Sequence, residues 1–359
     1  MPPLPTNTSV NAPQSLEAFW GFGNPCPFDE VLDVRTPAEF AGDHLPDAVN
    51  VPVLSDAERI EVGTLYRRTS AFQAARVGAA YMSANIAMHL RAHFSDKGKE
   101  YKPLLYCWRG GQRSSGLAHV LARVGWRVSV LNGGYKAYRG QVLKGLASVP
   151  PTLEVRIVSG ATGSRKTRLL HALAARGAQV LDLEALAGHR GSVLGRAGPQ
   201  PSQPRFDSLL LAAVSRFDPA RPVWIEAESN RIGDVYLPAA LWATMRAAPG
   251  IELQMPAAAR VRHLVEDYSN LFGDPGALKG LLQRLAPKHD TRQLEAWCRQ
   301  VDAREWNELA ASLLAIHYDP AYAASNERYY PRANDPVTIG DAEAAEIDAL
   351  AASLHTDRD

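Results

Sequence analysis

The stretch from Val155 to Ala175 constrains the fold of this chain more than any other. An apolar run, Val155–Ser159, enters Gly160-Ala161-Thr162-Gly163-Ser164-Arg165-Lys166-Thr167, and apolar residues at helical spacing follow to about Ala175. A strand that passes through a glycine turn straight into a helix belongs to an α/β unit built on a parallel sheet. The turn's N–H groups converge on one point at a helix N-terminus, which suits a di- or triphosphate. Lys166 would meet the terminal phosphate, and the Thr167 hydroxyl would reach Mg²⁺. Gly160, Thr162, Gly163, Ser164, Arg165, Lys166 and Thr167 are therefore candidate ligands. One position departs from the usual pattern: Arg165 stands where glycine normally precedes the lysine. A side chain there crowds the turn if the position needs a positive φ, although its charge would add to the site. The departure counts against nucleotide hydrolysis more than against phosphate binding.

A second strand–turn–helix lies in the first half. Pro103–Tyr106 reads as a buried strand. Ser114–Gly125 reads as a helix with Leu117, Val120, Leu121 and Val124 on one face and Gly125 at its C-cap. Between them runs Cys107-Trp108-Arg109-Gly110-Gly111-Gln112-Arg113. Converging N–H groups and the helix dipole would stabilise a thiolate at Cys107. Gly110 and Gly111 allow close approach of an anion, and Arg113 offers a bidentate fork. The other two cysteines read differently: Cys298 sits in an amphipathic helix and Cys26 in a loop between prolines. Three scattered cysteines make neither a disulfide framework nor a zinc site, which fits a reducing cytoplasm.

Around these loops the pattern stays α/β. Glu30–Val34 reads as a strand. Thr36, Pro37 and Glu39 then form a capping-box start, and Arg127–Leu131 reads as another strand. Ser148–Thr152 looks like a linker, which places a first domain at 15–147 and a second at 153–359, after a lead-in over 1–14 rich in Pro, Asn and Thr. In the second domain Gln179–Leu183 and Pro222–Glu226 read as strands, and from about Pro256 the pattern turns helical. No apolar run reaches the roughly 18 residues that span a bilayer. The net charge of +1 gives no overall basic footprint, so any polyanion must be met by local clusters.

The first half resembles the rhodanese family. Asp33-Val34-Arg35-Thr36-Pro37-Ala38-Glu39-Phe40, His44-Leu45-Pro46-Asp47-Ala48-Val49-Asn50-Val51-Pro52 and Asn132-Gly133-Gly134-Tyr135 carry that resemblance, with Asp47 where the family commonly has glycine. The resemblance implies a persulfide-carrying cysteine, but in a loop one residue longer than a sulfurtransferase's. That length admits a tetrahedral anion and is shared by Cys-x5-Arg phosphatases. A phosphatase, for which Asp43 or Asp47 would have to serve as general acid, therefore stays open. So does a phosphate sensor without catalysis.

Further segments resemble one family throughout, the bacterial tRNA 2-selenouridine synthases. They are Asp182–Ala187, His189-Arg190-Gly191-Ser192, Gln200–Phe206, Glu226-Ala227-Glu228-Ser229-Asn230-Arg231-Ile232-Gly233 and His317-Tyr318-Asp319-Pro320-Ala321-Tyr322, with Asp56–Arg59 and Gly63–Tyr66 in the first half. The resemblance implies replacement of sulfur by selenium on a wobble 2-thiouridine of tRNA. Geranyl diphosphate and selenophosphate would be co-substrates, through an S-geranyl intermediate, with no tightly bound cofactor. Cys107 would accept or orient selenium, and the loop with Arg109 and Arg113 would hold its phosphate. The Gly160–Thr167 turn would hold the diphosphate. Asp182, Glu226 or Glu228 would bind Mg²⁺ or act as a base. Arg67, Arg68, Lys136, Arg139, His189, Arg190 and Arg205 are candidate tRNA contacts, and Trp108 or Tyr135 would stack the splayed uridine. An enzyme supplying selenophosphate is an expected partner.

Overall fold

The computed structural model describes residues 26–189, 199–332, 335–341 and 343–356. The proposed lead-in, Arg190 and the Gly191-Ser192 pair lie outside them. Two compact units are present. Of the described residues, one comprises Cys26–Gly145 together with Pro204–Ala212. The other comprises Leu146–Gln203 and the chain from Ala213 onward.

The first unit holds a four-stranded parallel sheet. Its strands are β1 (Glu30–Asp33), β2 (Val49–Asn50), β3 (Pro103–Tyr106) and β4 (Ser129–Val130), in the order β2-β1-β3-β4. Parallel strands covered on both faces need apolar residues throughout, and all four residues of β3 are buried. The helix Pro37–Gly42 starts as its sequence predicts: Thr36 Oγ1 accepts the Glu39 N–H, and Glu39 accepts the Thr36 N–H. The helix Gln112–Val124 ends on Gly125 at φ 113°. The strand expected over Arg127–Leu131 shortens to Ser129–Val130, because Trp126 turns back to donate its indole N–H to the Gly98 carbonyl and packs on Phe94 and Tyr101. Asp47 adopts φ 57°, which accounts for the glycine common at that turn.

The second unit is built on a five-stranded parallel sheet. Its strands are β5 (Val155–Gly160), β6 (Gln179–Leu181), β7 (Val223–Glu226), β10 (Gly250–Gln254) and β11 (Asp335–Thr338), in the order β11-β10-β5-β7-β6. A small antiparallel pair, β8 (Arg231–Ile232) and β9 (Val235–Tyr236), follows β7. The strand expected over Gln179–Leu183 stops at Leu181. There the Asp182 carboxylate accepts the Ala185 N–H and starts the short helix Leu183–Ala187. The expected linker contains a single 3₁₀ turn, Pro150–Thr152. The helical region contains Ala257–Asp267, Pro275–Leu282, Thr291–Ala303, Trp306–Leu313 and Asp319–Tyr329. Leu278, Leu282, Leu294, Trp297, Leu309 and Leu313 make a core of their own there. A π-helical turn, Leu314–Tyr318, joins the last two of these helices. Among the described residues no helix is long and apolar enough to cross a membrane.

Two anion cradles as the candidate active site

Cys107 leaves β3 and is buried. Its Sγ accepts the Gly111 N–H at 3.2 Å and the Ser114 hydroxyl at 3.3 Å. Burial by itself pushes the thiol up. The Ser114 hydroxyl and the N–H groups of Ser114, Arg109 and Gly111 outweigh it, so the pKa falls below that of an ordinary cysteine. The thiol therefore sits among converging hydrogen-bond donors.

The loop's shape is set by the turn that follows β4. Tyr135 N–H donates to the Cys107 carbonyl and Lys136 N–H to that of Trp108, both at 2.9 Å. Gly110 has φ 69°, and a Cβ there would stand 2.6 Å from the Leu131 carbonyl oxygen. A Cβ on Gly134 would stand 2.2 Å from that of Cys107. Asn132-Gly133-Gly134-Tyr135 is thus the buttress of the thiol loop. Trp108 is 44% exposed, whereas Tyr135 is buried beneath the Arg35 guanidinium and donates its hydroxyl to Asp43. Of the two stacking candidates only Trp108 offers a free face.

Arg113 differs from its expected use. Its guanidinium forms a bidentate pair with Glu39, at 2.5 and 3.1 Å, so an incoming anion would have to compete with a carboxylate. Arg109 and Gln112 are exposed at the loop's rim. Asp43 is buried, bonded to Tyr135 and Ser208, and its carboxyl is raised by burial. Asp47 is exposed.

In the second unit β5 delivers the phosphate loop to the helix Lys166–Ala175. Gly160 has φ 147° and Gly163 has φ 83°. A Cβ on Gly160 would stand 2.6 Å from Ser164 Oγ. Lys166 Nζ donates to the Gly160 carbonyl at 2.8 Å and lies 3.5 Å from Glu226, which accepts the Thr167 hydroxyl at 3.1 Å. Arg165 does sit in the left-handed region, at φ 62° and ψ 27°. Its charge is not spent on the cradle as the sequence allowed. The guanidinium donates to Asp267 at 2.6 Å, to Glu266 at 2.8 Å and to His263 Nδ1 at 2.7 Å. His263 Nε2 lies 2.7 Å from the Asp341 carbonyl, which leaves Nδ1 as the acceptor.

Carboxylate oxygens of Glu184, Glu226 and Glu228 lie within 4.8 Å of one another beside Lys166 and Thr167. The Glu228 carboxyl is pushed far above the ordinary range, first by burial and then by Glu226 and Glu184. Asp182 is not part of this group: it caps its helix and bonds His171. Glu184 was missed by the sequence reading, although it lies in the acidic block that follows β6. Hard oxygen donors at this spacing fit Mg²⁺.

Beside the phosphate loop lies an open apolar cavity. Thr162 forms one wall, and Leu264, Leu271, Phe272, Trp306 and Leu313 are among the others. Its loop side is pinned: Arg260 donates to the Thr162 carbonyl at 3.2 Å and is held by Asp319 at 2.7 and 2.8 Å. The His317–Tyr322 motif therefore serves the phosphate loop. Asp319 holds Arg260, Tyr318 lines the cavity, and Tyr322 donates to Glu252 on β10.

The basic candidates divide. Arg67, Arg68 and Lys136 are exposed, and Lys136 adjoins Trp108. Arg139 pairs with Asp207, and Arg205 bonds the His44 carbonyl near Asp43. His189 donates its N–H to the Glu184 carbonyl.

Residues 22–141 match the rhodanese-like domain profile, and residues 153–274 match the profile of the tRNA 2-selenouridine synthase AAA domain. The tRNA 2-selenouridine synthase of Nitrosomonas europaea is 33% identical over 293 residues, covering 80% of this chain and 75% of the relative. That of Bdellovibrio bacteriovorus is 35% identical over the same length, with the same coverage. That of Shewanella denitrificans is 32% identical over 323 residues, covering 81% and 87%. With a thiol cradle and a phosphate cradle in that order, and relatives alike across both, the chain belongs to the tRNA 2-selenouridine synthase family.

Proposed function

We propose that this chain replaces the sulfur of a wobble 2-thiouridine in tRNA by selenium, in two steps that use the two cradles separately. In the first step the 2-thiouridine sulfur attacks C1 of geranyl diphosphate. The C–S bond forms as the C–O bond breaks, diphosphate leaves with the electron pair, and the base gives up its N3 proton. Lys166, Thr167 and the N–H groups of the Gly160–Lys166 turn hold the departing diphosphate. Mg²⁺, if bound at Glu184, Glu226 and Glu228, would supply charge stabilisation to that leaving group. The transfer needs no activated water, so it tolerates an arginine before the lysine.

In the second step the selenium of selenophosphate attacks C2 of the modified base. The C2–S bond breaks and geranylthiolate leaves. Water then opens the P–Se bond, which releases phosphate and leaves 2-selenouridine. Alkylation has converted the sulfur into a better leaving group. Cys107 and the Arg109, Gly110 and Gly111 backbone orient the tetrahedral anion, and Trp108 is the free aromatic face for the base. The tRNA backbone would be met by exposed Arg67, Arg68 and Lys136.

The observation that carries this reading is the Cys107 thiol, lowered in pKa by hydrogen-bond donors that converge on it within the seven-residue Cys107–Arg113 loop. The test is nucleoside mass spectrometry of a 2-thiouridine tRNA incubated with the protein and geranyl diphosphate, then with selenophosphate. A geranyl adduct followed by a selenium isotope pattern on uridine is the expected result. Unchanged 2-thiouridine with folded protein and active donors overturns it.

A further inference from the structure

The phosphate loop shares a wall, Thr162, with a cavity that suits no nucleotide base. A base needs hydrogen-bonding partners on its edges, and apart from Thr162, Tyr268 and Tyr318 these walls are Leu, Val, Ala, Phe and Trp side chains. A ligand seated on the loop's N–H groups and continuing into this space must be hydrocarbon beyond its phosphates. Where the cavity is lined by Phe272 and Trp306, their rings stack with centroids 4.4 Å apart and planes within 4° of parallel. Such a pair is a flat, stiff panel rather than a wall of adaptable side chains.

Helix Ala257–Asp267 links this space to the loop. One side presents His263, Glu266 and Asp267 to Arg165, while Leu264 and Val265 line the cavity. Leu264 also abuts Gly163: a Cβ there would stand 3.2 Å from the leucine side chain. A tail filling the cavity therefore presses on the helix that holds the residue of positive φ in the phosphate loop.

We infer that this cavity receives the branched hydrocarbon tail of an isoprenoid diphosphate, and that the Phe272–Trp306 stack sets the longest tail accepted. The inference rests on the proposed transfer, whose donor it places. It adds which residues select that donor.

The test is calorimetric binding of inorganic diphosphate, geranyl diphosphate and farnesyl diphosphate to the full chain. Geranyl diphosphate should bind at least about 100-fold more tightly than inorganic diphosphate, since most of a ten-carbon tail leaves water. Ala310 also lines the cavity. Ala310→Phe should erase that preference while inorganic diphosphate binds as before. Trp306→Ala should raise the farnesyl-to-geranyl affinity ratio about tenfold or more, with circular dichroism confirming the fold of both variants. Equal affinity for inorganic and geranyl diphosphate would overturn the tail site and leave the phosphate-loop reading standing. A wild-type preference that Ala310→Phe leaves intact would also overturn the site. A protein that binds ATP tightly and neither isoprenoid diphosphate would overturn the proposed donor, and the tail site with it.

Discussion

Around Cys107 the tight positions are glycines: Gly110, Gly133 and Gly134 carry φ of 69°, 71° and 53°. In the phosphate loop Gly160 and Gly163 are joined at φ 62° by Arg165. A β-carbon in the left-handed region costs roughly 1–2 kcal/mol. Arg165 offsets this with two carboxylates and a histidine from a helix that begins some ninety residues later. The first cradle is shaped by its own glycines and by the glycine turn after β4, the next strand of the same sheet. The second is shaped by tertiary structure. Two loops of similar purpose thus depend on the rest of the molecule to different degrees, and variants in each should show it.

The largest effects should come from removing each cradle's working group. Cys107→Ala should lower selenium incorporation by about a thousandfold or more, while geranylation of the same tRNA stays within about threefold of wild type. Lys166→Ala should do the reverse, costing geranylation about a hundredfold through the lost diphosphate contact. It should spare selenation of tRNA supplied already S-geranylated. Nucleoside mass spectrometry reads both. Folded variants that lose both steps alike would break the separation of roles.

Arg165 gives a sharper comparison with smaller effects. Arg165→Ala keeps the left-handed strain and leaves Asp267 and Glu266 without their partner. It should destabilise the protein by about 1–2 kcal/mol, a figure held down because both carboxylates are well exposed to water. Arg165→Gly loses the same ion pairs but relieves the strain, so it should be about 1 kcal/mol less harmful. Denaturant midpoints of the two variants decide it. Equal destabilisation would mean that the ion pairs alone matter at this position.

This contrast also explains what the sequence allows to be read. The Cys107 loop and the capping box at Thr36 are legible because each is made by residues close in the chain, whereas Asn132–Tyr135 is legible as a motif and its support of the Cys107 loop is not. The departure at Arg165 was legible as a defect, but its remedy was not, since nothing local marks Glu266 and Asp267 as its partners. Arg113 was read as an anion ligand because its pairing with Glu39 joins segments 74 residues apart. Glu184 went unnoticed because its neighbour Asp182 is the more usual strand-end acid. Strand β10 begins with Gly250, where a Cβ would stand 2.0 Å from the Ile157 carbonyl oxygen. That packing demand carries no periodic signal. The short β11 contains Pro336, which is tolerated at a sheet edge but argues against a strand in sequence.

The smallest effect tests how locally the thiol is tuned. Burial raises the Cys107 pKa, and the Ser114 hydroxyl is the first of the groups that bring it down. Ser114→Ala removes that donor and keeps the burial, so the pKa should rise. A hydrogen bond to a thiolate favours the charged form, hence the variant needs a higher pH to reach the same thiolate fraction. The midpoint of iodoacetamide alkylation against pH should therefore move upward, while the plateau rate at high pH changes little. The same profile measured on Arg113→Lys should stay in place, since Arg113 is engaged by Glu39 and the largest influences on the thiol are burial, Ser114 and the loop N–H groups. If Arg113→Lys moved the midpoint as far as Ser114→Ala, the thiolate would depend on the Arg113 guanidinium and its pair with Glu39 rather than on hydrogen bonds to sulfur alone. The contrast between a locally shaped cradle and a distantly supported one would then fail at the cysteine.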